Sequence, residues 1–296
     1  MKKLFTLLTL FFSSVTLMAQ DIEYWGCEIE PANIIDYPQP RTYSSLGVNS
    51  YISYLKEEKY QPKANTVGTQ ELAHMSEFYL DSIGYLIAVK HQDYYKTKYF
   101  TAFMYNNDRT LDKVIIRENG NLKWLYSYTY DEKSFLKAVG LFEYEGDNAK
   151  LSMSWKRERL PDSKIKVTCF DKPYSKTECI IADDKIVSKH YEGYHNGSIL
   201  NVRDSEYSYN PNGDLNSIIE VAQTASKKDQ FKSARIFEYN SNGLIQSVED
   251  TSRDKETYEY SFDESNNWIK CVNKCSNGIY SIERTYNYSV QNTTLK

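Results

Sequence analysis

From about residue 76 onward, apolar and polar positions alternate with a period of two. Leu122, Trp124, Tyr126, Tyr128 and Tyr130 fall on one side of such a run, as do Tyr280, Ile282, Arg284, Tyr286 and Tyr288. A period of two places alternate side chains on one face of a strand, so the pattern predicts β-structure with one aromatic face. Helical spacing is scarce. Its best instance is Thr69 to Glu77, which predicts at most two helical turns before the first hairpin. Residues 20–68 hold four of the seven prolines and little periodicity, which predicts an irregular lead-in over 20–75.

One phrase recurs within the alternating region: aromatic, any residue, aromatic, Asp or Asn, two polar residues, Gly, then Leu or Ile. Clear copies run from Tyr207 through Tyr209, Asn210 and Gly213 to Leu215, and from Phe237 through Tyr239, Asn240 and Gly243 to Ile245. A third runs from Tyr260 through Phe262 and Asp263 to Trp268. Looser copies open at Phe78, Phe103 and Tyr128, and Tyr191 to Ile199 reads as one of three eroded units between residues 130 and 209. Asp or Asn at the first turn position, Pro211 at the second and Gly at the fourth are the preferences of a type I turn. Glycine there accepts the positive φ of a hairpin bulge. Each unit of about 25 residues is then a hairpin, or a hairpin and a half. The fold expected is all-β: stacked antiparallel hairpin repeats forming a curled or solenoid-like sheet over 76–296.

Tyr130-Asp131, Phe262-Asp263 and the Asn variants Tyr209-Asn210, Tyr105-Asn106 and Tyr239-Asn240, together with Gly213 and Gly243, carry a resemblance. The chain resembles the YD-repeat (RHS-like) family from about residue 76 to 290, with weaker matches around 145–185. It is also similar to small exported proteins of gut and oral Bacteroidetes. The resemblance implies hairpins that, in large members, wind into a shell around a toxin or other cargo. This chain has too few units for such a cage, and no distinct C-terminal toxin domain is expected.

The N-terminus alters where such a sheet is expected to work. Lys2 and Lys3 precede an uncharged apolar stretch from Leu4 to Leu17, and Ala19 is a small residue suited to the position before a cut. That pattern predicts a secretory signal peptide over residues 1–19. Its removal takes away two lysines and leaves 34 basic against 40 acidic residues, a net charge of −6. With no basic patch of five or more residues, nucleic acid is not an expected partner. No later apolar run approaches the length of a spanning helix, so no membrane span is expected in the mature chain. A membrane-spanning barrel needs an uncharged outer band about 25 Å tall. The polar positions here carry Lys, Glu and Arg, which argues against it. The expected location is periplasmic or extracellular.

Candidate chemistry is sparse. An oxidising compartment permits disulfides among Cys27, Cys169, Cys179, Cys271 and Cys275. Cys169 and Cys179 flank a proline-bearing stretch and are expected to face each other across a hairpin, as a disulfide. Cys271 and Cys275, four apart on one strand, are about 13 Å apart and do not bond. His190 and His195, five apart, fall on opposite faces of a strand, which argues against a shared metal. The Asn- and Asp-rich turns lack the spacing and distal Glu of a calcium loop. No metal site, cofactor or catalytic set is expected. The 27 tyrosines sit mostly at fixed repeat positions, as cross-strand ladders. Trp25, Trp155 and Trp268 lie off the strict ladder or at turns and are the candidates for a ligand surface. The expectation is an exported, non-enzymatic binding or scaffold protein for a glycan or an envelope protein. The alternatives are a polysaccharide hydrolase with carboxylates on distant strands and a remnant of a toxin-delivery shell.

Overall fold

The computed structural model describes residues 51–288 except 64–65, 67–68, 172, 225–226, 252–253 and 277, together with Thr42, Leu46, Val48 and Asn49. The signal peptide, Trp25 and Cys27 lie outside the described residues. The strands are β1 (Ile52–Pro62), β2 (Gln70–Leu80), β3 (Leu86–Gln92), β4 (Lys98–Tyr105), β5 (Leu111–Glu118), β6 (Asn121–Tyr130), β7 (Leu136–Glu145), β8 (Asn148–Arg159) and β9 (Ile165–Asp171). They continue as β10 (Ser175–Ala182), β11 (Lys185–His195), β12 (Ser198–Tyr209), β13 (Leu215–Thr224), β14 (Lys227–Tyr239), β15 (Ile245–Asp250), β16 (Glu256–Phe262), β17 (Trp268–Cys275) and β18 (Gly278–Tyr288).

The repeat phrase builds its hairpins by a single mechanism. In the turn after β14, the Asn240 side-chain oxygen accepts the amides of Asn242 at 2.9 Å and Leu244 at 3.1 Å. Meanwhile Gly243 N–H donates to the Asn240 carbonyl at 3.0 Å, and Asn240 N–H donates to the Leu244 carbonyl at 2.8 Å. Asp81, Asp131 and Asp263 hold their turns through the same side-chain bonds. The fourth position has positive φ in every one of these turns, whether it is Gly84 (88°), Ser134 (56°), Gly243 (74°) or Asn266 (60°). Register slips by one residue just before the turn, between Glu238 and Tyr239 in one unit and between Thr129 and Tyr130 in another. That is the bulge foreseen from the glycine.

These hairpins do not make an open sheet. Each strand pairs antiparallel with its sequence neighbours, and β1 pairs with both β2 and β18, so eighteen strands close into a barrel. The curled or solenoid-like sheet expected from the repeat is therefore corrected to a closed up-and-down barrel. The physical reason lies in β1. A hairpin array leaves two unpaired edges, and Ile52–Pro62 satisfies both at once. This strand lies inside the stretch read as irregular, because its inward positions include Glu57, Lys59 and Gln61 instead of apolar residues. The helix expected at Thr69 to Glu77 is likewise absent; residues 70–77 belong to β2.

Two further readings change. Between residues 130 and 209, the rim of Asp/Asn turns is continued by 160–164 and by Asp183-Asp184, two turns and not three. Asn196-Gly197, read as an eroded copy, is a tight turn with φ of 50° and 78° on the opposite rim. Cys169 and Cys179 do sit on adjacent strands, but Cys169 pairs with Thr177 and Cys179 with Val167. That diagonal offset holds Cβ atoms about 7–8 Å apart, against the 3.5–4.5 Å a disulfide needs. Both are thiols, and the expected disulfide is not formed.

No second layer lies outside the ring among the described residues, so the buried face of each strand points inward. An eighteen-strand barrel that stays round keeps an aqueous channel. Here Ile116, Tyr126 and Leu141 are fully buried. The walls must therefore close on their own side chains over this part. The phrase supplies that filling: Phe103, Tyr128, Phe237 and the post-turn Leu86, Leu111, Leu136 and Leu215 are all buried. The tyrosine ending the phrase has a second role. Its hydroxyl donates to the carbonyl opening the preceding unit's return strand: Tyr105 to Leu86 (2.7 Å), Tyr130 to Leu111 (2.9 Å), Tyr239 to Leu215 (2.8 Å). Tyr209 and Tyr286 reach Ile186 and Trp268 in the same way, both at 2.7 Å.

Candidate functional site

The interior changes character along the barrel. Near the Asp/Asn turns it is apolar; further along β17, β18 and β1 to β4 it becomes polar. Arg284 Nε donates to Glu57 Oε2 at 3.0 Å with both side chains almost wholly buried, and Arg284 Nη1 donates to the Leu46 carbonyl at 3.0 Å. The same guanidinium lies 3.6 Å from the centre of the Trp268 ring. Beyond this pair, His74 and His91 stack at 5.6 Å, and Ser76 Oγ is 2.9 Å from His91 Nδ1. Burial pushes the His91 imidazole down to about 3, helped by the positive Lys59. Burial, then His91 and Lys59, pushes His74 to about 2. Imidazoles this reluctant to take a proton are poor general bases at neutral pH, where a working base titrates near the operating pH. The cluster suits a structural role.

A cavity of about 410 Å³ opens at the rim of Asp/Asn turns. One wall is Val48 and Asn49 from the segment preceding β1; the other comes from the turns after β14 and β16, with Asn242 and Leu244 from the first. Phe262, Asn266 and Trp268 complete it. Two bonds seat the N-terminal wall: Asn49 N–H donates to Asn267 Oδ1, and Asn49 Nδ2 donates to the Asn266 carbonyl, both at 2.6 Å. Asn267 is itself fully buried, its amide nitrogen donating to Tyr288 Oη at 2.8 Å. The lining thus consists of amides at the lip and apolar groups below, with no ionisable side chain among those named.

The tryptophans singled out from the sequence take different places. Trp25 lies outside the described residues. Trp155 is 1% exposed and packs on Tyr126 with ring centres 6.0 Å apart, so it presents no surface. Trp268 reaches the cavity as a wall, 5% exposed, with Arg284 over one face and the Tyr260 ring against its edge. The ring more available to a ligand is the half-buried Phe262. Sequence reasoning missed Asn49, Asn242, Leu244, Phe262 and Asn266. Four of them belong to two successive copies of the repeat phrase, and that adjacency was the available signal.

Other candidates stay apart. His190 Nδ1 is 2.7 Å from Asp204 Oδ1 and its Nε2 is 3.4 Å from Glu192, while His195 lies at the rim beside Asn196. Cys271 is buried in β17, where burial pushes its thiol up to about 12. Among the described residues, no group of three or more His, Cys, Asp or Glu is arranged to hold a metal ion.

No family model matches the sequence, and no curated protein matches it. Similar solved structures include a porin-like protein from Bacteroides uniformis, at 10% identity and a TM-score of 0.40, covering 80% of this chain and 96% of that one. A porin-like protein from Bacteroides vulgatus gives 11% identity and a TM-score of 0.39, covering 81% and 99%. The Photorhabdus luminescens Tc holotoxin pore gives 11% identity and a TM-score of 0.32, covering 74% of this chain and 15% of that one. The chain's own geometry is a closed eighteen-strand barrel with an amide-lipped cavity at one rim.

Proposed function

We propose that this chain is an exported, non-enzymatic binding protein of the cell envelope, and that the rim cavity is where it takes a glycan or protein ligand. The cavity carries this reading, because its described lining residues offer amides and apolar surface but no pair of groups able to exchange a proton with a substrate. Export is supported by the charged, apolar and small-residue order of residues 1–19. An outer face in water is supported by the ion pairs along the strands, such as Lys56–Glu58, Lys166–Glu178 and Lys270–Glu283, each at 2.8 Å. A lipid-facing band excludes such charges. A cargo-enclosing shell is disfavoured by the filled interior around Tyr126 and Leu141.

The test is retention of purified protein on immobilised envelope polysaccharide and on envelope protein extract. Retention that drops with Phe262→Leu and survives Phe142→Leu, a change far from the cavity, supports the reading. Release of new reducing ends from the polysaccharide, abolished by a single carboxylate-to-amide change, overturns it in favour of a hydrolase.

A further inference from the structure

We infer that the rim cavity takes an uncharged sugar of a glycan. The inference rests on the reading above that this cavity is the ligand seat, and it names the ligand's chemistry.

Extended peptides commonly bind by adding a strand to an open sheet edge. Each strand from β1 to β18 has two neighbours, and the open stretches of edge, residues 227–233 of β14 and the two-pair seam between β15 and β16, are not among the residues that line the cavity. A ligand in the cavity is held by side chains and turn backbone.

A sugar ring has a C–H face and a girdle of hydroxyls, each both donor and acceptor. A carboxamide also carries two donors and an acceptor on one small group. The Asn242 and Asn266 amides stand on exposed turn residues at the lip, above Leu244 and the Phe262 ring. A volume of about 410 Å³ lies near the lower end of ligand pockets, which run about 300–1,000 Å³. That is room for one or two sugar rings. Trp268 adds a nearly buried ring to the wall.

A uronate or sulfate placed here is desolvated with no cation among the described lining residues to answer it. The Arg284 guanidinium lies against the Trp268 ring and is already bound to Glu57. The cavity therefore selects neutral sugars by leaving charged ones uncompensated.

The experiment measures binding of neutral hexose oligosaccharides and a matched uronic-acid-bearing set by calorimetry. The wild-type chain is expected to prefer the neutral set by tenfold or more. Phe262→Leu and Asn242→Ala should each weaken that binding about five- to tenfold, with unchanged thermal unfolding. Asn242→Arg, at an exposed turn position, should reverse the preference by placing a cation at the lip. Tighter binding of the acidic set to the wild type, or neutral binding indifferent to Phe262 and Asn242, overturns the inference. So does capture of envelope protein alone through the same cavity, although the binding-protein reading then stands. If neither glycan nor protein binding responds to the cavity variants, both readings fall.

Discussion

At the scale of single residues, the turn phrase is a set of conformational requirements. Gly243 has φ of 74°, and a Cβ built on it meets nothing within 4 Å. Any penalty for a side chain there is thus backbone strain and not collision. Gly243→Val is expected to destabilise by about 1–3 kcal/mol, since a β-branched residue rarely adopts this region. Ser241→Ala, two positions earlier, should lie within about 0.5 kcal/mol of wild type. Urea unfolding of the two variants checks the contrast; equal losses contradict the turn geometry. Asn266 holds the same position with φ of 60°, a reminder that Asn also tolerates it. This much was legible from the order of residues, because the Asp/Asn side chain, the turn amides and the positive φ are all local.

At the scale of the hairpin, a tyrosine closing the phrase, as at 105, 130, 209 and 239, is a strut between units. Loss of a single buried hydrogen bond typically costs about 0.5–1.5 kcal/mol. Tyr239→Phe should lose about 1 kcal/mol, and Tyr105→Phe a similar amount, since each removes one hydroxyl from a carbonyl acceptor. The two struts share no partners, so the double variant should sum the single losses to within about 0.5 kcal/mol. Equilibrium unfolding of the three variants measures this. The alternation of aromatic residues revealed that both rings share a face. It did not reveal that the second hydroxyl ties one unit to the previous one, since that bond spans 18 residues or more. Nor did it place Asp183-Asp184 at the rim, where a turn without the phrase's aromatic and glycine does the same work.

At the scale of the whole barrel, closure by β1 decides both stability and pH response. A chain truncated to begin at Lys63 exposes the edges of β2 and β18 and is expected to aggregate, read by size-exclusion chromatography and light scattering. A stable, monodisperse truncated protein contradicts the closing role of β1. Closure also confines His74 and His91 as neutral rings. Free histidine takes a proton near 6.5, so the unfolded chain binds more protons than the folded one between that value and about 3. Stability from these residues is present above pH 6.5 and is lost as pH falls below it. Several carboxylates, including Asp108, Asp131 and Glu178, are held low by hydrogen bonds, and their loss comes at more acid pH. His190, raised by its bond to Asp204, acts in the opposite sense, but it is exposed and well screened. The denaturation midpoint should therefore fall between pH 6.5 and 4.5, and His74→Gln with His91→Gln should flatten that fall. An unchanged slope in the double variant contradicts the buried neutral pair.

The order of residues by itself determined the hairpin strands of the repeat, their one aromatic face and the turn mechanism, because each depends on neighbours within a few positions. It did not reveal closure, because closure depends on Ile52–Pro62, whose inward Glu57, Lys59 and Gln61 break the alternation that marks a strand. Those polar residues become interior only once β1 pairs with β18, and Glu57 then meets Arg284, more than two hundred residues away. The same distance hid the cavity. Asn49 meets Asn266 and Asn267 only after the ring has closed, and Trp155 is withdrawn into the core by the same folding that leaves Phe262 at the mouth. Local chemistry wrote the hairpins, and long-range pairing chose which of their side chains face a ligand.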